Sequence, residues 1–309
     1  LTDSRRWTGR FLTALAILVL VFSSGLNQSA LAENGQLLER QDCRRFLWNN
    51  PIPADQTDQR WVTPPVLTDQ SWVTPPVLQA NDGTSDFTVN LTATVVEKTV
   101  DTLFKKCPLY SYRFDCGDNC TKITDERWND NIPVGPTIKV KPGDTLRVNL
   151  KNELMDKTNL HTHGLHISPK ENSDDVLLEI KNSETQGYEY VIDENHYPGT
   201  FWYHPHVHGT TATQVEDGMA GALIVEDPTD NIYPSWVNDA EDRIFVFQQI
   251  PMKKEYNSKD EKIDSIVVTI NGVQNPKITM DLGELERWRF IHAGEDESIA
   301  LDFNSLISD

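Results

Sequence analysis

The chain has 309 residues, with 47 acidic and 28 basic side chains and a formal net charge of −19. This acidic balance argues against nucleic-acid binding through a basic surface patch. Hydrophobic residues make up 38% and charged residues 24%, a composition that excludes a polytopic membrane protein and a disordered chain.

The first 32 residues resemble a secretory leader. Three arginines lie in the first ten residues, residues 11–22 are almost wholly apolar, and Ala30-Leu31-Ala32 fits a small-x-small cleavage site. We therefore expect a signal peptide over 1–32, a periplasmic or extracellular location, and no stable membrane association after cleavage. The apolar run is short for a transmembrane helix, and a retained membrane anchor is the less favoured alternative. Ser4-Arg5-Arg6 only weakly indicates twin-arginine export.

Residues 33–83 are predicted to be a poorly structured, Pro-containing lead-in. They contain a tandem duplication of eleven residues, TDQRWVTPPVL at 57–67 and TDQSWVTPPVL at 68–78. Each copy carries Pro-Pro, which favours extended, polyproline-like chain. A duplicated linker is the favoured interpretation, and a docking peptide is the minority one.

Residues 84–228 are predicted to form an antiparallel β-sandwich or barrel. Apolar and polar side chains alternate in short segments, at 87–95, 138–150 and 188–192, and an apolar strand follows at 222–225. The Pro-Gly-Asp turn at 142–144 predicts a hairpin between its flanking strands. Convincing amphipathic helices are absent from the pattern.

A linker at 229–242 and a second run of predicted strands complete the chain, so residues 229–309 read as a linker and a partial second domain. The predicted strands are 244–247, 265–270, 277–280 and 285–292. A sandwich domain usually needs ~100 residues, more than the 67 that follow residue 242. We therefore expect the second domain to be incomplete.

The four cysteines are Cys43, Cys107, Cys116 and Cys120. In an exported chain, disulfides are the default interpretation, and four cysteines allow three connectivities. Cys116 and Cys120 have a spacing that suits part of a zinc site, but no histidine lies near them in sequence.

Six of the eight histidines form two clusters. The first, LHTHGLH at 160–166, contains His161 and His163, and the second, FWYHPHVHG at 201–209, contains His204 and His206. Residues two apart in a strand share a face, and neighbouring strands lie ~4.8 Å apart, so two such pairs can gather four imidazoles around one point. Imidazole nitrogen suits copper and zinc, and the pattern predicts a metal site.

The remaining histidines receive weaker assignments. His166 and His208 lie just beyond the two pairs and are minor candidates for additional ligands. His196 and His292 are interpreted as structural.

Six segments carry a resemblance to a known family. They are GPTIKVKPGDTLRV (135–148), HTHGL (161–165), GTFWYHPH (199–206), GMAGALIV (218–225), NGVQNP (271–276) and GELERWRF (283–290). Together they resemble the N-terminal portion of multicopper oxidases, the laccase-like family, in its bacterial three-domain type. The fold implied is all-β: a cupredoxin-like Greek-key domain followed by an incomplete second cupredoxin domain.

The resemblance implies a copper ligand set. His161 would bind type 2 copper, and His163, His204 and His206 would bind the type 3 pair. Asp174 matches the family's carboxylate that relays protons to reduced oxygen, and Asp175 is the fallback; a plain surface role for both acids is an equal alternative. Type 1 copper ligands are absent, because no cysteine here is flanked by histidine.

The function implied is oxidation of phenols, amines or metal ions, with O2 reduced to water. Because this chain carries half of the trinuclear ligands, the resemblance implies a fragment whose isolated 309 residues are inactive. The alternatives are a non-catalytic exported copper-binding or assembly protein, and an enzyme completed by oligomerisation or by a missing C-terminal half.

Overall fold

Strands dominate the parts of the chain that the structure, a computed structural model, describes. These are residues 19–21, 72–80, 84–101, 106–117, 128, 132–227, 232–256, 262–273, 276–294 and 298–302. The strands are β1 (Val19–Val21), β2 (Val77–Gln79), β3 (Asp86–Asp101), β4 (Lys106–Asp115), β5 (Thr137–Val140), β6 (Thr145–Asn152), β7 (His161–His163), β8 (Thr185–Val191), β9 (Gly199–His204), β10 (Gly221–Val225), β11 (Glu241–Tyr256), β12 (Lys262–Ile270) and β13 (Glu286–His292). Two short helices, α1 (Thr211–Glu216) and α2 (Ser235–Asn238), accompany them.

Three sheets organise these strands. The front sheet has the order β2-β5-β10-β9-β7, the back sheet β4-β3-β6-β8, and the third sheet β1-β13-β11-β12. The front and back sheets are built from residues 72–227 and mix parallel and antiparallel pairs. This is the all-β cupredoxin architecture that the sequence predicts.

The core lies between the front and back sheets. In β6 alternate residues are buried, so Leu146, Val148 and Leu150 face inward from the back sheet. All five residues of β10 are buried, as expected of a strand in the middle of a covered sheet. The alternation that identified the strands is thus the alternation that builds the core.

The hairpin predicted around residues 142–144 is wrong in its pairing. The tight turn is present, with Gly143 at φ +89° and the Asp144 carboxylate accepting the Lys141 N–H at 2.7 Å. However, β5 belongs to the front sheet and β6 to the back sheet, and they do not pair. The turn carries the chain from the front sheet to the back sheet. This crossing lets β5 and β6 bury their apolar side chains in the same core from opposite sides.

The fold begins earlier than residue 84, where the sequence placed the first domain boundary. β2 pairs in parallel with β5, and Val73 and Leu78 are buried in the core. Residues 72–78 of the second copy of the duplication are therefore packed against the fold. The first copy, at 57–67, lies outside the described residues.

The third sheet contains three of the four predicted strands of the second domain, as β11, β12 and β13, and β11 extends beyond its predicted strand at both ends. Residues 277–280, predicted as a strand, form no named strand. An aromatic cluster of Phe245, Phe247, Trp288 and Phe290 packs on this sheet. β1, from within the predicted leader, pairs in parallel with β13.

Two further observations concern the predicted leader and the cysteines. Among the described residues, no helix is long and apolar enough to cross a membrane. Cys116 is buried and disulfide-bonded.

Candidate metal centre

The two histidine clusters lie on neighbouring strands of the front sheet. β7 pairs antiparallel with β9 at the edge of that sheet, in a register that places His161 opposite His204 and His163 opposite Trp202. β7 has only three residues, and Thr162 between the histidines is buried, so both imidazoles project from the other face. The sheet register therefore brings together the histidines that are about forty residues apart in sequence.

Three imidazoles converge closely. His161, His163 and His204 each offer one ring nitrogen, and these nitrogens all lie within 4.8 Å of one another. Nδ1 of His163 and Nε2 of His204 are 3.3 Å apart. Imidazole–metal bonds are about 2.0–2.1 Å long, so two nitrogens at this separation can share one ion.

The fourth predicted ligand, His206, lies at the margin of this group. β9 ends at His204, so His206 does not share a regular strand face with it as the sequence predicted. Its ring centroid is 5.0 Å from that of His161 and 5.9 Å from that of His204, and its side chain is exposed. The four imidazoles form one cluster in which His206 is the most accessible to solvent.

Asp174 fixes the orientation of His161. Its Oδ2 lies 2.9 Å from His161 Nδ1, and its Oδ1 accepts the Thr162 N–H at 2.8 Å and the Thr162 hydroxyl at 3.1 Å. A carboxylate beside Nδ1 favours the tautomer with hydrogen on Nδ1, which leaves the Nε2 lone pair for a metal. Asp175, the fallback, instead accepts the Leu177 N–H.

A backbone carbonyl performs the same task for His204. Nδ1 of His204 lies 2.9 Å from the Pro205 carbonyl oxygen, which can only accept a hydrogen bond. Nδ1 therefore carries the hydrogen, and Nε2, the nitrogen that faces His163, is the one free to bind a metal.

Burial favours the neutral form of three of the four imidazoles, those of His163, His204 and His206. Burial lowers the pKa of His204 well below its ordinary value, and the neighbouring His161 lowers it further. The pKa values of His163 and His206 are also lowered, in each case chiefly by burial and then by His161. Neutral imidazole is the form that binds a metal ion, so the lowered pKa values of these three histidines favour cation binding.

Two supporting residues were not identified from sequence. The Trp202 indole stacks on both His204, at 4.1 Å between centroids, and His163, at 5.1 Å. Asn159 accepts the His206 N–H at 2.6 Å and donates to two carbonyls of the 176–178 segment. Trp202 precedes the second histidine pair and could have been selected on that ground, whereas no local signal distinguishes Asn159.

The other histidines lie outside the group of three. His208 is exposed. His196 accepts the His166 backbone N–H at Nε2, 3.1 Å away, and its Nδ1 lies 2.9 Å from the Tyr197 carbonyl. These backbone bonds are what a structural histidine makes, in line with its predicted role. His292 lies on β13, away from both clusters in sequence, and burial lowers its pKa.

The donor set suits copper. Three or four neutral imidazoles without thiolate or methionine ligands favour Cu or Zn among divalent ions, and Cu²⁺ binds such nitrogens more tightly than Zn²⁺ does. The carboxylate nearest the cluster, Asp174, is engaged by His161 and Thr162 and serves as an outer partner of a ligand.

Comparisons with known proteins agree with this geometry. Residues 117–230 match the family model for multicopper oxidase. The multicopper oxidase mco of Staphylococcus epidermidis is 34% identical over 158 residues, covering 49% of this chain and 34% of that protein. The enzyme of the same name from Staphylococcus aureus is 33% identical over 187 residues, covering 59% of this chain and 39% of that protein. The chain thus spans between a third and two fifths of these relatives.

Solved structures show the same fold. A laccase from Pediococcus acidilactici aligns over 73% of this chain and 46% of its own, with a TM-score of 0.50 and 21% identity. A variant of the McoA multicopper oxidase from Aquifex aeolicus aligns over 74% of this chain and 46% of its own, with a TM-score of 0.51 and 23% identity. Residues 117–230, which contain the histidine cluster, are thus similar to the multicopper oxidase family, whose members use copper.

Proposed function

We propose that this chain supplies the first half of the oxygen-reducing copper site of an oxidase. The single observation that carries the proposal is the register of β7 and β9, which sets His161 opposite His204 and gathers two His-x-His pairs into one cluster. His161 is assigned to type 2 copper. His163, His204 and His206 are assigned to the type 3 pair.

Copper bound here would supply one-electron redox chemistry, with O2 as the acceptor and phenols, amines or metal ions as donors. The protein's own residues perform the positioning. Asp174 holds the His161 ring with Nε2 free, and the Pro205 carbonyl does so for His204. Trp202 covers one face of two ligand rings and limits their rotation.

Asp174 also remains the proposed proton relay. One of its oxygens contacts a ligand imidazole and the other is held by Thr162, so the carboxylate lies directly behind the cluster. Reduction of oxygen to water consumes protons, and a carboxylate in this position can accept one from solvent and pass it on.

A non-catalytic copper-binding role is the second candidate for the chain by itself. No cysteine in the sequence has a histidine neighbour, so the residues present do not form a type 1 site that would deliver electrons. A partner that contributes those ligands would convert the same histidine cluster into an oxidase.

The test is copper stoichiometry together with oxygen uptake. The full chain is loaded with Cu²⁺, dialysed and assayed for bound copper, then for O2 consumption with a phenolic donor. Copper retention that is lost in the His161→Ala and His204→Ala variants supports the site. Equal copper retention in these variants and in the unaltered protein would refute it, and rapid oxygen uptake would reject the non-catalytic candidate.

Export is proposed as well. The disulfide at Cys116 supports an oxidising compartment, since such bonds are rare in the cytosol. Detection of the mature protein in a periplasmic or culture-medium fraction, with a new N-terminus at residue 33, tests the leader.

A further inference from the structure

The second copy of the duplicated sequence fills a groove between the front sheet and the third sheet. Four of its residues are buried: Val73, the two prolines at 75 and 76, and Leu78. Its C-terminal end forms β2, which adds to the front sheet beside β5. The segment 72–78, called the docked strand below because it ends in β2, is therefore packed against the fold and is not a spacer.

Trp72 anchors one end of this segment on the third sheet. Its ring lies 4.7 Å from the Phe245 ring, and the Arg243 guanidinium lies 5.3 Å above it. Phe245 belongs to the aromatic cluster of that sheet. An aromatic anchor in a prepared apolar pocket, with a cation over its face, is a common mode of peptide recognition.

Backbone hydrogen bonds set the register of the docked strand. The Val73 carbonyl accepts from Asn271 Nδ2 at 3.0 Å, and the Pro76 carbonyl accepts the Thr137 N–H at 2.8 Å. Val77 and Leu78 then pair with Thr137 and Ile138 of β5. Both prolines sit where the segment needs no N–H from them, so the Pro-Pro sequence fits the site.

Every side chain that segment 72–78 contributes to these contacts has an identical counterpart in the first copy of the duplication. Residues 61–67 and residues 72–78 have the same sequence, Trp-Val-Thr-Pro-Pro-Val-Leu, and the eleven-residue copies differ only at Arg60 and Ser71. We propose that this groove is a peptide-binding site for Trp-Val-Thr-Pro-Pro-Val-Leu, and that residues 61–67 are its second, competing ligand within the same chain.

The connection to β3 decides which copy prevails. Seven residues, 79–85, join the second copy to Asp86, whereas eighteen, 68–85, would join the first copy. The entropy of closing a loop grows with the logarithm of its length, so the longer connection is disfavoured by only ~4-fold. The second copy should occupy the groove in about four fifths of molecules and the first copy in the rest, by the same loop-length argument.

Chymotryptic cleavage after each tryptophan reports which copy is docked. In the full-length protein, cleavage after Trp61 should be faster than after Trp72, because the docked copy is protected. In the Trp72→Ala variant the first copy should take the groove, and cleavage after Trp61 should slow by at least about threefold, since cleavage tracks the exposed population. Trp236→Ala, which removes an exposed tryptophan elsewhere, should leave that rate unchanged.

A thermal melt supplies the second readout. Trp61→Ala should shift the midpoint little, Trp72→Ala moderately, and the double variant by clearly more than the two single shifts combined. An unchanged or faster cut after Trp61 in Trp72→Ala would overturn the proposal. The proposal would also be overturned if Trp72→Ala were unfolded, or if the double variant had the same melting midpoint as Trp72→Ala. Either result would mean that the first copy cannot replace the second.

Discussion

Nδ1 of His161 and Oδ2 of Asp174 lie 2.9 Å apart, and this contact connects the metal cluster to the loop that follows it. Asp174 is nine-tenths buried, and its main-chain N–H is held by the Ser168 carbonyl. The carboxylate therefore has a fixed position, and its effect on copper should be exerted through the ring of His161.

Replacing Asp174 should weaken copper binding without abolishing it. Asp174→Asn removes the negative charge that stabilises the Nδ1–H tautomer, and loss of such outer partners typically costs ~10–100-fold in metal affinity. Asp175→Asn is the matched control, because that carboxylate contacts the Leu177 N–H and no histidine. Copper titration by calorimetry decides the matter, and equal affinities for the two variants would contradict the role of Asp174.

The ligand assignment makes a graded prediction within the second cluster. His204→Ala and His206→Ala should each weaken copper binding strongly, because each removes a nitrogen bonded to the metal. His208→Ala should change affinity by ~10-fold or less, as expected of a residue that at most orients a ligand. A loss for His208→Ala as severe as that for His204→Ala would require a three-histidine site in this cluster.

The strands of the all-β fold and the two histidine pairs could be predicted from local spacing, whereas Asp174 was implied only by the resemblance to multicopper oxidases. Period-2 alternation survives in β6 and β8, where one face is buried. The pairing of β5 and β6 could not be predicted in the same way. A tight turn is compatible both with a hairpin and with a crossing between sheets, and only the packing of the whole core distinguishes them.

The docked strand at 72–78 was missed for a related reason. Pro-Pro is typical of exposed linkers, and no local pattern reveals that Asn271, about two hundred residues away, accommodates the segment. Likewise, Asn159 supports His206 through contacts that only the fold creates.

Acid should destabilise the metal-free protein. Burial lowers the pKa of His204 in the folded state, so between that pKa and ~6.5 the unfolded chain binds more protons than the folded one. The stability is fully present above ~6.5 and is lost as pH falls through this window. Thermal melts between about pH 5 and pH 8 should show this slope. His204→Gln should reduce the slope and leave the contributions of His163, His206 and His292, whose pKa values are also lowered. The exposed His208→Gln should retain the full slope, and equal slopes in both variants would exclude His204 as one of its sources.

The copper-loaded chain should lack an intense blue band. That absorption arises from copper–thiolate bonding, and none of the four cysteines has a histidine beside it. In addition, Cys116 is in a disulfide and so offers no thiolate to copper. A visible spectrum of residues 33–309 loaded with Cu²⁺ is the measurement, with the metal-free protein as control, and a strong band near that of a blue copper protein would contradict the assignment.

Removing the Asn271 amide should weaken the junction between the docked strand and the third sheet. Its Nδ2 donates to the carbonyls of Val73 and Ile244, its Oδ1 accepts the Val246 N–H, and the side chain is fully buried. Asn271 also has φ +50°, a conformation that asparagine tolerates better than alanine does. Asn271→Ala leaves three buried backbone groups without these partners, at ~1–3 kcal/mol each when fully unsatisfied, so a total loss of ~2–5 kcal/mol is expected after partial relaxation.

Two controls separate the causes of that loss. Asn271→Gly keeps the backbone conformation accessible and removes only the amide, so it should recover the conformational share of the loss, ~1 kcal/mol or more. Asn195→Ala, at an exposed position, should be nearly neutral. Urea denaturation measures all three variants. If Asn271→Ala were as stable as Asn195→Ala, the hydrogen bonds to Val73, Ile244 and Val246 would not stabilise the junction, and the docked strand would have to be held by the Trp72 pocket and the β2–β5 pairing alone.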